Sequence, residues 1–279
     1  MKRFSLLRQT GIMFILTLVL AVATGGSADA AGNELTIKGS TTVLPVAQVM
    51  AEVFMDRNPD VDISVQGGGS GVGIASLLDG TTDIADSSRK IKDKEIAKAE
   101  EKGMTPHEIV IAMDGIAVIV HPSNILSYLS KEQIKAIYTG KVSNWAEIGG
   151  EDRKIVVVSR DTSSGTFEAF ENLALDKEKV RPDALTTASN QAVVMTVASS
   201  PNAIGYAGLG YLTDKVKPLR VDEVECTRET ILSGAYPLSR PLFMYTNGEP
   251  EGGTKLFIDF ILSEEGQKLV DEEGFVGLK

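Results

Sequence analysis

Two hydrophobic periods alternate along this chain. Val46, Val49, Met50, Val53 and Phe54 recur at helical spacing and predict a helix over 45–57, stopped by Asn58-Pro59. Val61, Ile63 and Val65 then alternate with polar residues, as a half-buried strand does. The same exchange continues to the C-terminus. Strands are expected at 34–38, 61–65, 82–85, 109–113, 116–120, 155–159, 203–206 and 240–246. Helices are expected at 45–57, 72–78, 90–101, 131–138, 166–173, 191–198, 254–262 and 264–272. Alternating strand–helix units imply an α/β fold with largely parallel sheets. Asp114-Gly115 separates two apolar strand runs, and reads either as part of a hinge-side strand or as a hairpin turn.

The N-terminus follows neither period. Lys2, Arg3 and Arg8 precede an apolar run over 11–23, and Ala28-x-Ala30 follows it. This is the three-part pattern of a secretory signal peptide, with cleavage expected after Ala30. The run is shorter than the roughly 20 residues that span a membrane. Without this segment, the remainder is more acidic than the full chain's net charge of −10. Acidity argues against a nucleic-acid partner. With 43% hydrophobic and 24% charged residues the chain is globular rather than disordered. Its single cysteine, Cys226, excludes an intrachain disulfide framework, and with two histidines it cannot complete a Cys/His zinc cluster.

The candidate chemistry sits where strands hand over to helices. Gly39-Ser-Thr-Thr42, Gly67-Gly-Gly-Ser-Gly-Val-Gly73 and Arg160-Asp-Thr-Ser-Ser-Gly-Thr166 each place Gly, Ser and Thr at a predicted helix start. The first N–H groups of a helix have no partner within it and lie at the positive end of its dipole. Such termini suit anions. Loops after parallel strands gather at one sheet edge, so the three can converge. Arg160 adds a planar fork that matches two oxygens of an oxyanion. Enzyme signatures are missing: there is no phosphate-binding G-x-x-x-x-G-K-[ST] and no G-x-S-x-G. His107 and His121 read as surface or packing residues, and Trp145 as a packing anchor in a turn.

These three loops, with Asp83-Ile-Ala-Asp-Ser-Ser-Arg89, Asp114-Gly-Ile-Ala-Val118, Ala203-Ile-Gly-Tyr206 and Pro237-Leu-Ser-Arg-Pro241, occur in the order of a known family. The chain resembles the periplasmic phosphate-binding proteins of phosphate ABC transporters over nearly all of 33–279. The resemblance implies a non-enzymatic, type II periplasmic-binding-protein fold of two lobes, 33–113 plus 241–279 and 114–240. Each lobe would be a mostly parallel sheet flanked by helices, with two crossing hinge segments. It further implies a monomer without cofactor, located in the periplasm, that closes on inorganic phosphate and delivers it to a permease in the inner membrane. Carried over by position, Ser40, Thr41, Ser70, Arg160, Ser164, Gly165 and Thr166 would bind the ligand. Ser88 stands where the family's archetypes place an aspartate that accepts the phosphate proton. Asp114 is the first candidate to replace that carboxylate and Asp86 the second, with Arg89 as an added donor. Ser87, Ser189 and Asn190 are lesser candidates for the cleft. Sulfate or molybdate remains an alternative ligand, and a secreted phosphatase a more distant one.

Overall fold

The computed structural model describes residues 34–279, so the expected signal peptide lies outside the described residues. The first half runs β1 (Glu34–Gly39), α1 (Leu44–Arg57), β2 (Asp62–Gly67), α2 (Ser70–Leu78), β3 (Ile84–Ser87), α3 (Asp93–Glu101), β4 (Pro106–Val120), β5 (Tyr128–Leu129) and α4 (Lys131–Tyr138). The second runs β6 (Val156–Arg160), α5 (Gly165–Ala174), β7 (Leu185–Thr187), α6 (Asn190–Ser199), β8 (Ala203–Gly208), β9 (Lys217–Val221), α7 (Arg228–Leu232), β10 (Ser239–Asn247), α8 (Gly252–Leu262) and α9 (Glu264–Glu272). Every predicted element is present within a few residues. The short strands β5, β7 and β9 and the single-turn α7 were not anticipated.

The strands follow the order β2-β1-β3-β10-β4-β8-β6-β7, with β9 joining β4 to β5. Pairings among the shorter strands are parallel: β1 with β2 and β3, β6 with β7 and β8, β5 with β9. Antiparallel pairings all involve β4 or β10. The expectation of largely parallel sheets therefore holds away from these two strands and fails at them. No turn forms at Asp114-Gly115; β4 runs unbroken for 15 residues. Its C-terminal half is fully buried, and covered on both faces it has no solvent side to mark with polar residues.

Two principal cores share the long strand β4, which pairs antiparallel with β10. One packs Ile37, Met50, Ile84, Ile111, Leu242 and Phe257 among its members. The other includes Ile116, Val118, Tyr138, Phe170, Tyr206 and Leu238. β4 contributes Ile109, Ile111 and Ala112 to the first core and Ile116, Val118 and Val120 to the second, so it changes core around Asp114. In the β4–β10 ladder Asp114 lies directly opposite Arg240. Trp145 is buried in the second core, with its indole N–H on the Asn202 carbonyl.

Candidate functional site

Three glycine- and hydroxyl-rich loops meet at one place. Gly71 N–H, in the first turn of α2, donates to the Ser163 carbonyl ahead of α5 at 2.9 Å. Ser163 Oγ lies between the Asp161 carboxylate, its closer acceptor, and the Gly68 carbonyl at 3.1 Å. Thr42, ahead of α1, and Thr166, in α5, place their hydroxyls 2.8 Å apart. At Gly165 a Cβ would collide with the hydroxyls of Ser70 and Ser88, so only glycine lets the α5 terminus come this close. At Gly69, φ is +99° and a Cβ would strike Ser163 at 2.6 Å. Both the conformation and the space there demand glycine.

The hydroxyls of this cluster share one polarity. Ser40 Oγ accepts from Thr42 N–H at 3.1 Å, Ser70 Oγ from Ser88 N–H at 3.0 Å and Ser164 Oγ from Phe167 N–H at 3.1 Å. Thr41 Oγ1 accepts from Asn190 Nδ2 at 3.1 Å, and Thr166 Oγ1 from Arg240 Nη2 at 3.0 Å. Each partner is a group that can only donate. A hydroxyl has a single proton, and one already serving as acceptor directs that proton elsewhere. Ser88 Oγ alone in this set receives no obligate donor; its neighbour is Ser70 Oγ at 3.4 Å. The backbone N–H groups of Gly165 and Thr166 also have no partner among the described residues, as expected for a first helical turn.

Two guanidinium groups serve this cluster, with opposite electrostatics. Arg160 is held from behind: Nε donates to the Thr187 carbonyl at 3.1 Å and Nη2 to the Ala188 carbonyl at 3.0 Å. Its backbone N–H donates to Tyr206 OH, whose ring stacks on Phe170 at 3.9 Å. Nη1 is buried and has no hydrogen-bond partner. Asp161 is the nearest acid, at 3.8 Å. Burial lowers the Arg160 pKa, yet a guanidinium stays protonated, so this is a desolvated cation in want of an anion. Arg240, by contrast, grips Asp114 through Nε at 3.1 Å and Nη2 at 2.8 Å. Its Nη1 donates to the Ser88 carbonyl at 3.0 Å.

Several expected site residues are placed differently. Both oxygens of Asp114 are engaged, Oδ2 by Arg240 and Oδ1 by Leu209 N–H at 2.9 Å. Burial raises its pKa while Arg240 opposes the shift, and its charge is cancelled within the protein. Arg89 makes a two-pronged contact with Glu95 at 2.8 Å, and its Nε meets Glu168 of α5 at 2.9 Å. That guanidinium ties α3 to α5 rather than facing the hydroxyl cluster. Ser87 Oγ donates to the Arg89 carbonyl, and Ser189 caps α6 through Ala192 N–H. Strand alternation puts Asp86 on the same face of β3 as Ile84, against the first core; its Oδ1 has no partner and burial raises its pKa strongly. Asn190 stands behind Thr41 and Thr42. Thr42 and Arg240 were missed. An arginine in a strand normally reads as an exposed residue, and only the Asp114 register reveals its burial.

A family model described as the PBP superfamily domain matches residues 23–265. The phosphate-binding protein PstS of Bacillus subtilis (strain 168) is 38% identical over 250 residues, covering 89% of this chain and 82% of that protein. PstS of Staphylococcus aureus (strain bovine RF122 / ET3-1) is 34% identical over 278 residues, covering 93% and 84%. Among solved structures, a phosphate ABC transporter substrate-binding protein from Clostridium perfringens with bound phosphate aligns with a TM-score of 0.83. It is 40% identical and the alignment covers 88% of this chain and all of the other. An ABC-type phosphate transport receptor from Vibrio cholerae gives 0.73 at 35% identity, covering 87% and 99%. The chain belongs to the PBP superfamily, within its PstS-like family of binding proteins.

Proposed function

We propose that this chain captures inorganic phosphate between two lobes and passes it to an ABC permease. The observation that carries the reading is a cluster of proton-presenting hydroxyls together with a buried cation whose Nη1 has no partner. Ser40, Thr41, Ser70, Ser164 and Thr166 all present protons, Gly165 and Thr166 present backbone N–H groups, and Arg160 Nη1 is unmatched. The complement of such a shell is a compact anion rich in acceptors. The relatives named above are phosphate-binding transport proteins, which sets the phosphatase alternative aside.

The protonated oxygen of phosphate needs an acceptor, and Ser88 Oγ is free to be one. A hydroxyl reads that proton without the charge that would repel fully ionised sulfate. Sulfate therefore stays the second reading, favoured by the neutralised Asp114. The lobes would be 33–113 with 241–279, and 114–240, crossing at β4 and β10. In this reading the mature protein works in the periplasm as a monomer. Among the described residues no helix is long and apolar enough to cross a membrane.

Thermal melting tests the ligand. Phosphate at about 1,000 times its Kd stabilises the phosphate-stripped protein by about 4 kcal/mol. The melting temperature then rises with phosphate and much less with equal sulfate. Equal shifts with both would transfer the site to oxyanions in general, and no shift with either would refute it.

A further inference from the structure

We infer that Asn190 is a positioning residue that sets the direction of the threonine protons, and through them the preference of the site for acceptor-rich ligands. The inference rests on the phosphate reading above. Asn190 is fully buried in the first turn of α6, 148 or more residues away in sequence from the threonines it contacts. Its amide orientation is fixed by Gly208, whose backbone N–H donates to Oδ1 at 3.2 Å. A backbone N–H cannot accept, so Nδ2 must face the opposite way. There its two protons meet two hydroxyls, Thr41 Oγ1 at 3.1 Å and Thr42 Oγ1 at 3.0 Å.

The consequence propagates. Thr41 cannot return its proton to an amide nitrogen, so that proton is left for a ligand. Thr42 already receives Asn190, which cannot accept in return, so its own proton goes to Thr166 Oγ1 at 2.8 Å. Thr166 then holds two incoming donors, Thr42 and Arg240, and its proton is also turned outward. One amide on α6 thereby sets the polarity of hydroxyls on the β1–α1 loop and, through Thr42, on α5. These contacts join the 33–113 segment to the 114–240 segment. The polarity is therefore completed only when the two parts are together, which couples closure to the capture of an anion.

The test is a set of phosphate titrations on the stripped full-length mature protein, by calorimetry, with ligand-free melting of each variant. In the parent, Thr41→Val weakens phosphate about 10- to 100-fold, the value of a hydrogen bond to a charged group. Asn190→Asp keeps the shape and the Gly208 contact but turns the donating side into an acceptor. Thr41 and Thr42 then point their protons at residue 190, and phosphate binding falls by about 100-fold or more. In that background Thr41→Val costs almost nothing further. Charge repulsion alone would instead leave the cost of Thr41→Val unchanged, and that result overturns the positioning role. Asn190→Leu retains the volume without the amide and serves if Asn190→Asp does not fold. There the Thr41→Val cost shrinks to a few-fold, and an undiminished cost again overturns the inference. A parent that takes up no phosphate defeats the functional reading as well, so the two failures are distinguishable.

Discussion

Arg160 and Arg240 are both buried, and their surroundings give them different tasks. Arg240 has its counter-charge inside the fold, in Asp114, at the point where β4 changes core. Breaking a buried pair by removing one partner leaves an uncompensated charge. Asp114→Asn is expected to lose about 3–5 kcal/mol of stability, read as a lower midpoint in chemical denaturation; an unchanged midpoint would mean that the ion pair does not hold β4 to β10. Asp86 makes the opposite case: a carboxyl buried with no cation and an unpartnered Oδ1. Its pKa in the folded protein lies well above the unfolded carboxylate value of about 3.9. Between those two values the folded state holds the extra proton, so stability falls as pH rises through that window. Asp86→Asn removes this penalty. The variant should melt higher than the parent at pH 7, with the difference shrinking towards pH 4. A difference of the same size at both pH values would show that Asp86 is not protonated on folding.

At the scale of elements, the site is a meeting of helix starts, and α5 does most to join them. Its first turn carries Gly165 and Thr166 at the hydroxyl cluster and Glu168 at the rim. Glu168 contacts Arg89 at 2.9 Å and Lys92 at 2.5 Å, both from the β3–α3 segment. Under the proposed closure these ion pairs help hold the two parts together, and Glu168→Gln should weaken phosphate binding by up to about tenfold, the upper range of a partly exposed ion pair. The gap from the parent should narrow at high salt, which screens such contacts. Equal affinities at low salt would remove the rim from the closing mechanism. Helices and strands were legible because each has one apolar face of regular period, as in α1 and β2. β5, β7 and β9 were not legible, since two to five residues hold too little period to read. Asp114-Gly115 left a turn open beside the hinge-side strand because turn chemistry is local. The partner that keeps β4 straight, Arg240, is 126 residues away. Loop residues of the site were legible from Gly, Ser and Thr at helix starts. The engagement of Arg89 with Glu168 and of Asn190 with Thr41 depends on tertiary approach, which no local pattern encodes.

For the whole molecule, a formal charge of −10 and an anion site are compatible. Salt screens the distant field over about 8 Å at physiological ionic strength. In the proposed reading the ligand would instead meet local groups: oriented hydroxyls, free N–H groups at helix starts and the unpartnered Nη1 of Arg160. The two cores would supply opposite walls in the proposed two-lobed reading, with β4 contributing to both and pairing with β10. The central claim is that Arg160 is the buried cation this arrangement reserves for phosphate. Calorimetric titration of phosphate into the stripped parent and into Arg160→Ala tests it most directly. Tight binding is predicted for the parent, with a loss of about 2–5 kcal/mol in Arg160→Ala. Arg160→Lys should recover only part, since an ammonium does not offer two parallel donors. Phosphate bound as tightly by Arg160→Ala as by the parent would contradict the account.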